Sequence, residues 1–237
     1  GVVRRARGGQ ITRRNAASLP QDGDAFTSPS KPAEKKGLLA AYLRALDSKP
    51  LTTKVITSGV ICGVGDIMAQ ALAFKPVPPA QAFTVGAFAK AIQLQRFAIY
   101  GVIGAVWIAP VIHYWFDLLE RLTKSPKGPP TTFAGTMVKA AKMVTLDQSI
   151  GAPLVNAGFM FLFTFATALC AGTPGVKAAR DALTMVRSSI WATLLVCWKI
   201  WPLANLLNFA FVPANLRVLF LNFVGLGWNI YLSAAVN

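Results

Sequence analysis

Long apolar stretches separated by short polar segments make up most of this chain. A helix needs about 20 consecutive apolar residues to cross the hydrocarbon core of a bilayer. Helical spans are therefore predicted over 52–74, 92–118, 149–171, 183–209 and 214–235. Four to five spans is the predicted range, because Pro202 and Pro213 also allow a partly re-entrant last region.

Shorter amphipathic segments lie beside these spans. Residues 38–46, LLAAYLRAL, predict a short helix that ends before Pro50, and proline suits the start of the next helix. Residues 132–148 carry two lysines on an otherwise apolar pattern, which predicts an interfacial helix. Asp147 would then be the N-cap of the third span, accepting hydrogen bonds from free first-turn amides.

The first 37 residues differ from the rest of the chain. They begin GVVRRARGGQ, hold five arginines and no acid before Asp22, and continue into a Pro/Ser-containing polar stretch. Arginine, serine and alanine without acids are typical of organellar targeting segments. We predict a basic N-terminal arm and linker over 1–37, followed by an all-α transmembrane domain over 38–237.

Composition and charge support a membrane protein. The chain is 54% hydrophobic and 14% charged, with a mean hydropathy of +0.49, whereas soluble proteins average about 25% charged residues. The net charge is +15, and eleven of the 24 basic residues precede Val55. This placement fits membrane topology and anionic lipid headgroups. It does not fit nucleic acid, because no recognition motif accompanies the charge.

Loop charges predict the orientation. The N-terminal segment and residues 120–147 hold more Lys and Arg than the loops at 75–91 and 172–188. The two basic segments are therefore placed on the same, positive side of the membrane, which in a mitochondrion is the matrix.

No pattern of catalytic or metal-binding chemistry occurs in the sequence. There is one histidine, and the three cysteines Cys62, Cys170 and Cys197 all lie in apolar segments. No phosphate loop, Rossmann glycine pattern or Ser/His/Asp set is found. We therefore expect no catalytic residues, no cofactor and no metal site, and predict that the protein is not an enzyme.

Ionisable residues within or beside the apolar stretches are the candidate functional residues. A charge at membrane depth is costly unless it faces a partner or a water-filled cavity. The candidate pore or intramembrane polar residues are Asp66, Arg96, His113, Asp117, Lys199 and Arg217.

Each candidate has a structural interpretation beside the functional one. Asp66 either faces a solute or forms a structural ion pair with Arg96, Lys199 or Arg217. His113 and Asp117 share a helix face, and form either a pH-sensitive gate or, the interpretation we favour, a packed polar pair. Arg217 either binds an anionic solute or, more in keeping with its position at a span start, snorkels to headgroups.

Small, aromatic and amide residues complete the expected bundle. Gly59-xxx-Gly63 and Gly101-xxx-Ala105 have the spacing that lets helices approach closely in lipid. The tryptophans are expected to anchor the interfaces, with Trp201-Pro202 forming a kink. The asparagines are expected to join helices through hydrogen bonds: Asn205, Asn208, Asn222 and Asn229.

Four groups of residues recur in the order expected of a known family. They are Gly59, Gly65 and Asp66; Arg96, Pro110, His113 and Trp115; Asp147 and Gln148; and Trp201, Pro202, Asn208, Phe209, Pro213, Arg217, Trp228 and Asn229. These groups resemble the Mpv-seventeen and peroxisomal membrane protein family of small integral membrane proteins. The resemblance covers about residues 38–236, and the last group is the most specific. The acid that usually precedes the arginine of the second group is absent, since Gln95 precedes Arg96.

The resemblance implies an organellar membrane protein without known enzymatic activity. Family members occupy mitochondrial inner, peroxisomal and other organellar membranes, and some are described as weakly selective channels. We expect the mitochondrial inner membrane, with a plastid or peroxisomal membrane as the alternative. The expected function is channel-like or a metabolite conduit. The alternative is an accessory subunit of a larger membrane complex, docked on other membrane protein subunits through its arm and helix faces.

Overall fold

The structure is a computed structural model, and it describes residues 37–74, 92–126 and 128–236. Side chains are described in these ranges except at 38, 39 and 229–236. The predictions for the basic arm up to residue 36, and for the loop at 75–91, lie outside the described residues. The division into an arm and a transmembrane domain therefore stays a prediction.

Helices account for all regular structure in the described ranges, so the predicted all-α fold is confirmed. Two of the helices contain a π-helical segment, at Gly104–Ile108 and at Asp147–Gly151. In chain order the helices are α1 Leu38–Ser48, α2 Pro50–Ala73, α3 Leu94–Leu122, α4 Phe133–Cys170, α5 Gly175–Cys197, α6 Trp201–Phe211 and α7 Arg217–Val236.

Local chemistry sets several helix ends. The break between α1 and α2 falls at Lys49, and Pro50 starts α2, where its missing N–H is not needed. The side chain of Thr132 accepts a hydrogen bond from the amide of Gly135 at 3.1 Å and caps α4. Gly172, with a φ of 81°, lies just after the end of α4.

Helix α3 changes its helix type just before Pro110. The π-helical segment ends at Ile108, just before the proline, and the helix then continues to Leu122. A proline lacks an N–H and crowds the preceding turn. The wider π-helical turn relieves that conflict without ending the helix.

The predicted boundary between an interfacial helix and the third span is wrong. The two segments form one continuous helix, α4, through the π-helical segment Asp147–Gly151. Asp147 has helical φ and ψ of −63° and −48°, so it lies inside the helix and is not an N-cap. The predicted capping role therefore fails, since the amides that follow Asp147 already belong to a helix.

Three described helices, α2, α3 and α4, are long and apolar enough to cross a bilayer. Helices α5 and α6 pass the same test together, but they meet at a bend of 60°, so they form either a broken span or a re-entrant pair. The bend follows Cys197, and Pro202 lies in the first turn of α6, which confirms the predicted Trp201-Pro202 kink. The apolar part of α7 that was tested, Arg217–Trp228, is shorter. The described part thus holds three candidate spans, or four if α5 and α6 together form one, and four is the lower end of the predicted range.

Close helix approach occurs where small residues predicted it. A Cβ added to Gly59 would lie 3.1 Å from the carbonyl oxygen of Gly101 and 3.2 Å from the Cβ of Ala105. Helices α2 and α3 therefore pack nearly backbone to backbone, as expected for small residues four apart. Outward-facing side chains are large and apolar, such as Ile56 and Leu203, which suits contact with lipid.

Candidate functional site

A cavity of about 390 Å³ lies inside the bundle, between residues of α2 to α7. Most of its wall is apolar or aromatic, and no lysine or arginine of the described residues belongs to it. The polar members of the wall are Cys62, Tyr100, Asp147, Gln148, Asn156, Thr193, Cys197, Asn205 and Asn222, together with Trp115, Trp201 and Trp228.

The cavity extends along the bundle. Its lining residues on α4 run from Asp147 to Met160. At a rise of 1.5 Å per residue, this distance is about 20 Å. The hydrocarbon core of a bilayer is about 30 Å thick, so the length of the cavity along α4 is about two thirds of that thickness.

Asp147 is held at the cavity wall by three neutral donors. The indole Nε1 of Trp115 donates to Oδ1 at 2.8 Å. The side-chain amides of Gln148 and Asn205 each donate to Oδ2 at 2.8 Å. Asp147 is only 6% exposed, so these bonds replace water around a buried carboxyl group. They also join α3, α4 and α6 at one point.

The amides that hold Asp147 have unused acceptors. Within the described residues, Oε1 of Gln148 and Oδ1 of Asn205 are buried and have no hydrogen-bond partner. Nor does any ion pair found in that part of the chain include Asp147. These two oxygens are shielded from the cavity, whereas the Asp147 carboxylate belongs to its wall, and no positive charge of the described residues lies in that wall.

Gly151 makes room for the indole that binds Asp147. A Cβ at this position would overlap Nε1 of Trp115 and would lie 2.7 Å from Oδ1 of Asp147. Gly151 closes the π-helical segment that begins at Asp147. The glycine and the carboxylate thus lie on the same helical segment, against the same indole.

A second polar group lies farther along the cavity. Asn156 is nine residues beyond Asp147, about 14 Å along the helix. Its Nδ2 donates to the carbonyl of Ala152 at 2.8 Å, and its Oδ1 accepts a weak bond from Sγ of Cys197 at 3.8 Å. The hydroxyl of Thr193 donates to the carbonyl of Ser189 at 3.0 Å and lies 3.8 Å from the sulfur of Met160. These are weak acceptors and donors without charge, so the charged end of the cavity is the one at Asp147.

Asp66 pairs with Arg96, one of the three partners considered. Nε of Arg96 lies 2.8 Å from Oδ1 of Asp66, whose side chain is fully buried. Gln70 donates to Oδ2 of Asp66 at 2.7 Å and also receives the backbone N–H of Gln93 at 2.7 Å. None of these residues lines the cavity. The structural interpretation of Asp66 is therefore the one that the geometry favours.

His113, on α3, contacts the N-terminal part of α2, whereas Asp66 lies nearer the C-terminal end of α2. Nζ of Lys54, on α2, is 3.0 Å from Nδ1 of His113, so the lysine donates to the imidazole. Asp117, which was expected to form a polar pair with His113, has an exposed side chain and interacts electrostatically with both His113 and Lys54. Lys54 and Asp66 are twelve residues apart on α2, about 18 Å, so the candidate charges form separate clusters and no continuous polar path.

The snorkelling predicted for Arg217 is wrong. Its side chain is 8% exposed, and NH1 lies 2.6 Å from Oε1 of Glu120. The guanidinium also donates to the carbonyls of Val212 and Phe209 and lies 5.5 Å from the Phe209 ring centroid. Partners inside the bundle thus replace the headgroups, and Lys139 pairs with the same Glu120.

Lys199 does not line a polar path either. It lies in the break between α5 and α6, and its side chain is exposed. Neither it nor Arg217 borders the cavity. None of the six candidate pore or intramembrane polar residues therefore reaches the cavity wall. Asp147 and Asn205, which lie at the charged end of the cavity, were instead predicted to be an N-cap and a residue that joins helices.

Sequence reasoning missed Lys54, Glu120 and Asn205 as site residues, and misjudged two tryptophans. Trp107 and Trp115 donate to Val155 and Asp147 inside the bundle, so they are not interface anchors. The sequence did contain a signal for Asp147, because a carboxyl group in a long apolar stretch is a candidate functional residue, as Asp66 is.

Asn205 and Asn222 do join helices, as predicted: Asn205 donates to Asp147, and Asn222 donates to Ser58 at 2.7 Å. The side chain of Asn229 lies outside the described residues.

Fold and cavity together define a small, all-helical, multispan membrane protein. In the described residues, no group of three or more His, Cys, Asp or Glu side chains could hold a metal ion. The sequence signature of the Mpv17 / PMP22 family matches residues 176–233, which cover α5, α6 and part of α7. No solved structure matches this chain.

Relatives over most of the chain complete the assignment. PXMP2/4 family protein 3 of Dictyostelium discoideum is 33% identical over 81% of this chain and 87% of its own length. Mitochondrial inner membrane protein Mpv17 of Caenorhabditis briggsae is 28% identical over 83% and 91%. Peroxisomal membrane protein PMP22 of Arabidopsis thaliana is 29% identical over 84% and 90%.

The chain belongs to the Mpv17 / PMP22 family. The resemblance seen in the sequence is thereby confirmed. The relatives' names include a mitochondrial inner membrane protein and a peroxisomal membrane protein, which confirms the expectation of an organellar membrane at the level of the family. None of the three names denotes an enzyme.

Proposed function

We propose that the protein is a conduit for small polar solutes across an organellar membrane, with the internal cavity as the solute's passage. The observation that carries this proposal is the cavity between α2 and α7 with its hydrogen-bonded carboxylate at Asp147. A volume of about 390 Å³ falls within the range of about 300–1,000 Å³ typical of small-molecule sites.

The polar groups in the cavity wall favour a solute passage over a simple packing void. Fully packed interiors leave few voids larger than a water molecule, and empty cavities in proteins are usually apolar. Here a buried carboxylate and several amides border the space. Polar groups are costly to bury in lipid unless they serve a site, so their concentration at the cavity favours a solute-bearing function.

We place the protein in the mitochondrial inner membrane, with a peroxisomal or plastid membrane as the alternative. The support comes from the relative named for that membrane and from the basic, acid-poor N-terminal sequence. Basic residues that flank the spans, such as Arg121, Lys124 and Lys142, would contact anionic lipid headgroups. The accessory-subunit alternative stays a prediction, because the arm that would dock lies outside the described residues.

Liposome swelling tests the conduit. Purified protein is reconstituted, and the liposomes are diluted into isosmotic arabinose or, as a larger solute, raffinose. Swelling is expected in arabinose. Gly225→Phe should reduce it to the level of protein-free liposomes, because Gly225 lines the cavity and a Cβ there meets nothing nearer than Trp201 at 3.8 Å.

Gly227→Phe is the matched control. Gly227 is exposed on the same helix, and a Cβ there meets nothing within 4 Å, so the added ring should point away from the cavity. Swelling should stay at the level of the unmodified protein. The conduit is excluded if the unmodified protein gives no swelling, or if liposomes with Gly225→Phe swell as much as those with Gly227→Phe.

A further inference from the structure

Asp147 is a buried carboxyl group without a positively charged partner among the described residues. Both of its carboxyl oxygens accept hydrogen bonds, which is the pattern of an ionised carboxylate. All three donors are neutral, and none of the ion pairs in the described ranges involves this residue. Buried carboxylates are normally paired with a cation. A positive charge is therefore missing beside Asp147.

The two neighbouring amides are committed to the carboxylate. Gln148 and Asn205 point their N–H₂ groups at Asp147, so their carbonyl oxygens lie on the other side of each amide. Both oxygens are buried without a partner in the described structure, and Asn205 is only 4% exposed. The hydrogen bonds that support a charged carboxylate are therefore kept although they leave two buried acceptors unpaired, which is costly.

The protein's own cations in the described ranges do not supply the charge. Arg96 and Arg217 pair with Asp66 and Glu120, and Lys54 lies on His113. The cavity lining given by the described residues includes no lysine or arginine. A cation that enters the cavity would complete the charge pairing of Asp147.

We propose that the cavity binds a small organic cation, whose ammonium group is held by the carboxylate of Asp147. The cavity of about 390 Å³ is far larger than a bare metal ion requires and suits a small molecule. Trp115, Trp201 and Trp228 line it, and indole faces attract organic cations. This inference adds organic cations to the small polar solutes of the conduit and rests on that proposed function for its meaning in transport.

Binding to the purified full-length chain in detergent tests the inference without transport. The probes are benzylammonium and its neutral analogue benzyl alcohol, measured by isothermal titration calorimetry. A charge-assisted hydrogen bond to a buried carboxylate should make benzylammonium bind at least about tenfold more tightly than the alcohol. Asp147→Asn keeps the size of the side chain and should abolish this difference. Asp117→Asn, an exposed carboxylate outside the lining, should leave it unchanged.

A second variant decides the matter if Asp147→Asn does not fold. Asn205→Lys would place a tethered ammonium at the cavity wall beside Asp147, since Nδ2 of Asn205 is already 2.8 Å from Oδ2. The tethered charge should block benzylammonium at least about tenfold while leaving benzyl alcohol binding unchanged.

Two results would overturn the inference. One is equal affinity of the unmodified protein for the cation and the alcohol; the other is unchanged cation affinity in Asp147→Asn or Asn205→Lys. Swelling assays keep the two proposals separate. Arabinose swelling together with Asp147-independent binding contradicts the cation site alone, whereas Asp147-dependent binding without swelling contradicts the conduit and leaves the cation site standing.

Discussion

The indole nitrogen of Trp115 donates a hydrogen bond to Oδ1 of Asp147 at 2.8 Å, and this bond joins α3 to the π-helical segment of α4. The same carboxylate receives Asn205 of α6, so one buried acid joins three helices. Because the cavity begins at this point, the bond both stabilises the bundle and shapes the site.

Removal of the indole donor should destabilise the fold. Trp115→Phe keeps most of the ring but leaves Oδ1 of Asp147 without its partner. A lost hydrogen bond to a charged group costs about 1.5–3 kcal/mol in soluble proteins, and inter-helical bonds in membranes average about 0.6 kcal/mol. We expect a loss of about 1–2 kcal/mol in the free energy of unfolding, measured by denaturation in detergent. Trp191→Phe, at a residue 68% exposed, should change it little.

A side chain at Gly151 should displace the same indole. The Cβ of Gly151→Ala would overlap Trp115 and crowd Asp147, and overpacking of this kind costs about 1–3 kcal/mol. Thermal unfolding followed by circular dichroism measures the loss, and tryptophan fluorescence should shift as the indole moves.

The matched control for Gly151 is Gly227→Ala, where a Cβ meets nothing within 4 Å. Alanine is the better helix former by about 0.8–1 kcal/mol, so this variant should be neutral or slightly more stable. Equal losses in the two variants would show that the space beside Trp115 is not specifically required.

Glu120 should matter more than an exposed acid, because it neutralises a buried arginine. Glu120→Gln leaves the guanidinium of Arg217, which is 8% exposed, without its carboxylate. Breaking a buried pair costs about 3–5 kcal/mol. Because Glu120 is 31% exposed, we expect a smaller loss in the free energy of unfolding, about 1–2 kcal/mol. Chemical denaturation in detergent measures this change.

The comparison variant for Glu120 is Asp181→Asn. Asp181 pairs with Lys177 on the surface of α5, where the side chains are 47% and 67% exposed. Exposed pairs contribute about 0–1 kcal/mol, so this variant should behave almost like the unmodified protein. A loss as large as that of Glu120→Gln would contradict the buried role assigned to Arg217.

The pattern of apolar residues predicted most of the fold but not the partners of the polar residues. Helix α2 was expected over 52–74 and is found at Pro50–Ala73, because an uninterrupted apolar stretch of this length has few alternatives in lipid. The close approach at Gly59 was also foreseen, since small residues four apart permit it.

The cavity could not be predicted in the same way, because its wall depends on which side chains meet in space. Asp147 precedes an apolar segment and therefore resembles an N-cap, but the helix continues through it as a π-helical segment. Asn205 is 58 positions away from Asp147 in the chain, and no local pattern relates the two. Arg217 likewise has its partner Glu120 at a separation of 97 residues.

Solvent access to engineered cysteines tests most directly whether the interior is a passage. In proteoliposomes of a chain with Cys62, Cys170 and Cys197 replaced by alanine, Thr193→Cys and Leu195→Cys would each be treated with a small, charged methanethiosulfonate reagent. Thr193 lines the cavity, and Leu195 is 60% exposed on the outer face of the same helix. We predict rapid labelling at 193 and almost none at 195, where lipid excludes the reagent. Labelling at 195 with protection at 193 would contradict a water-accessible cavity in this bundle.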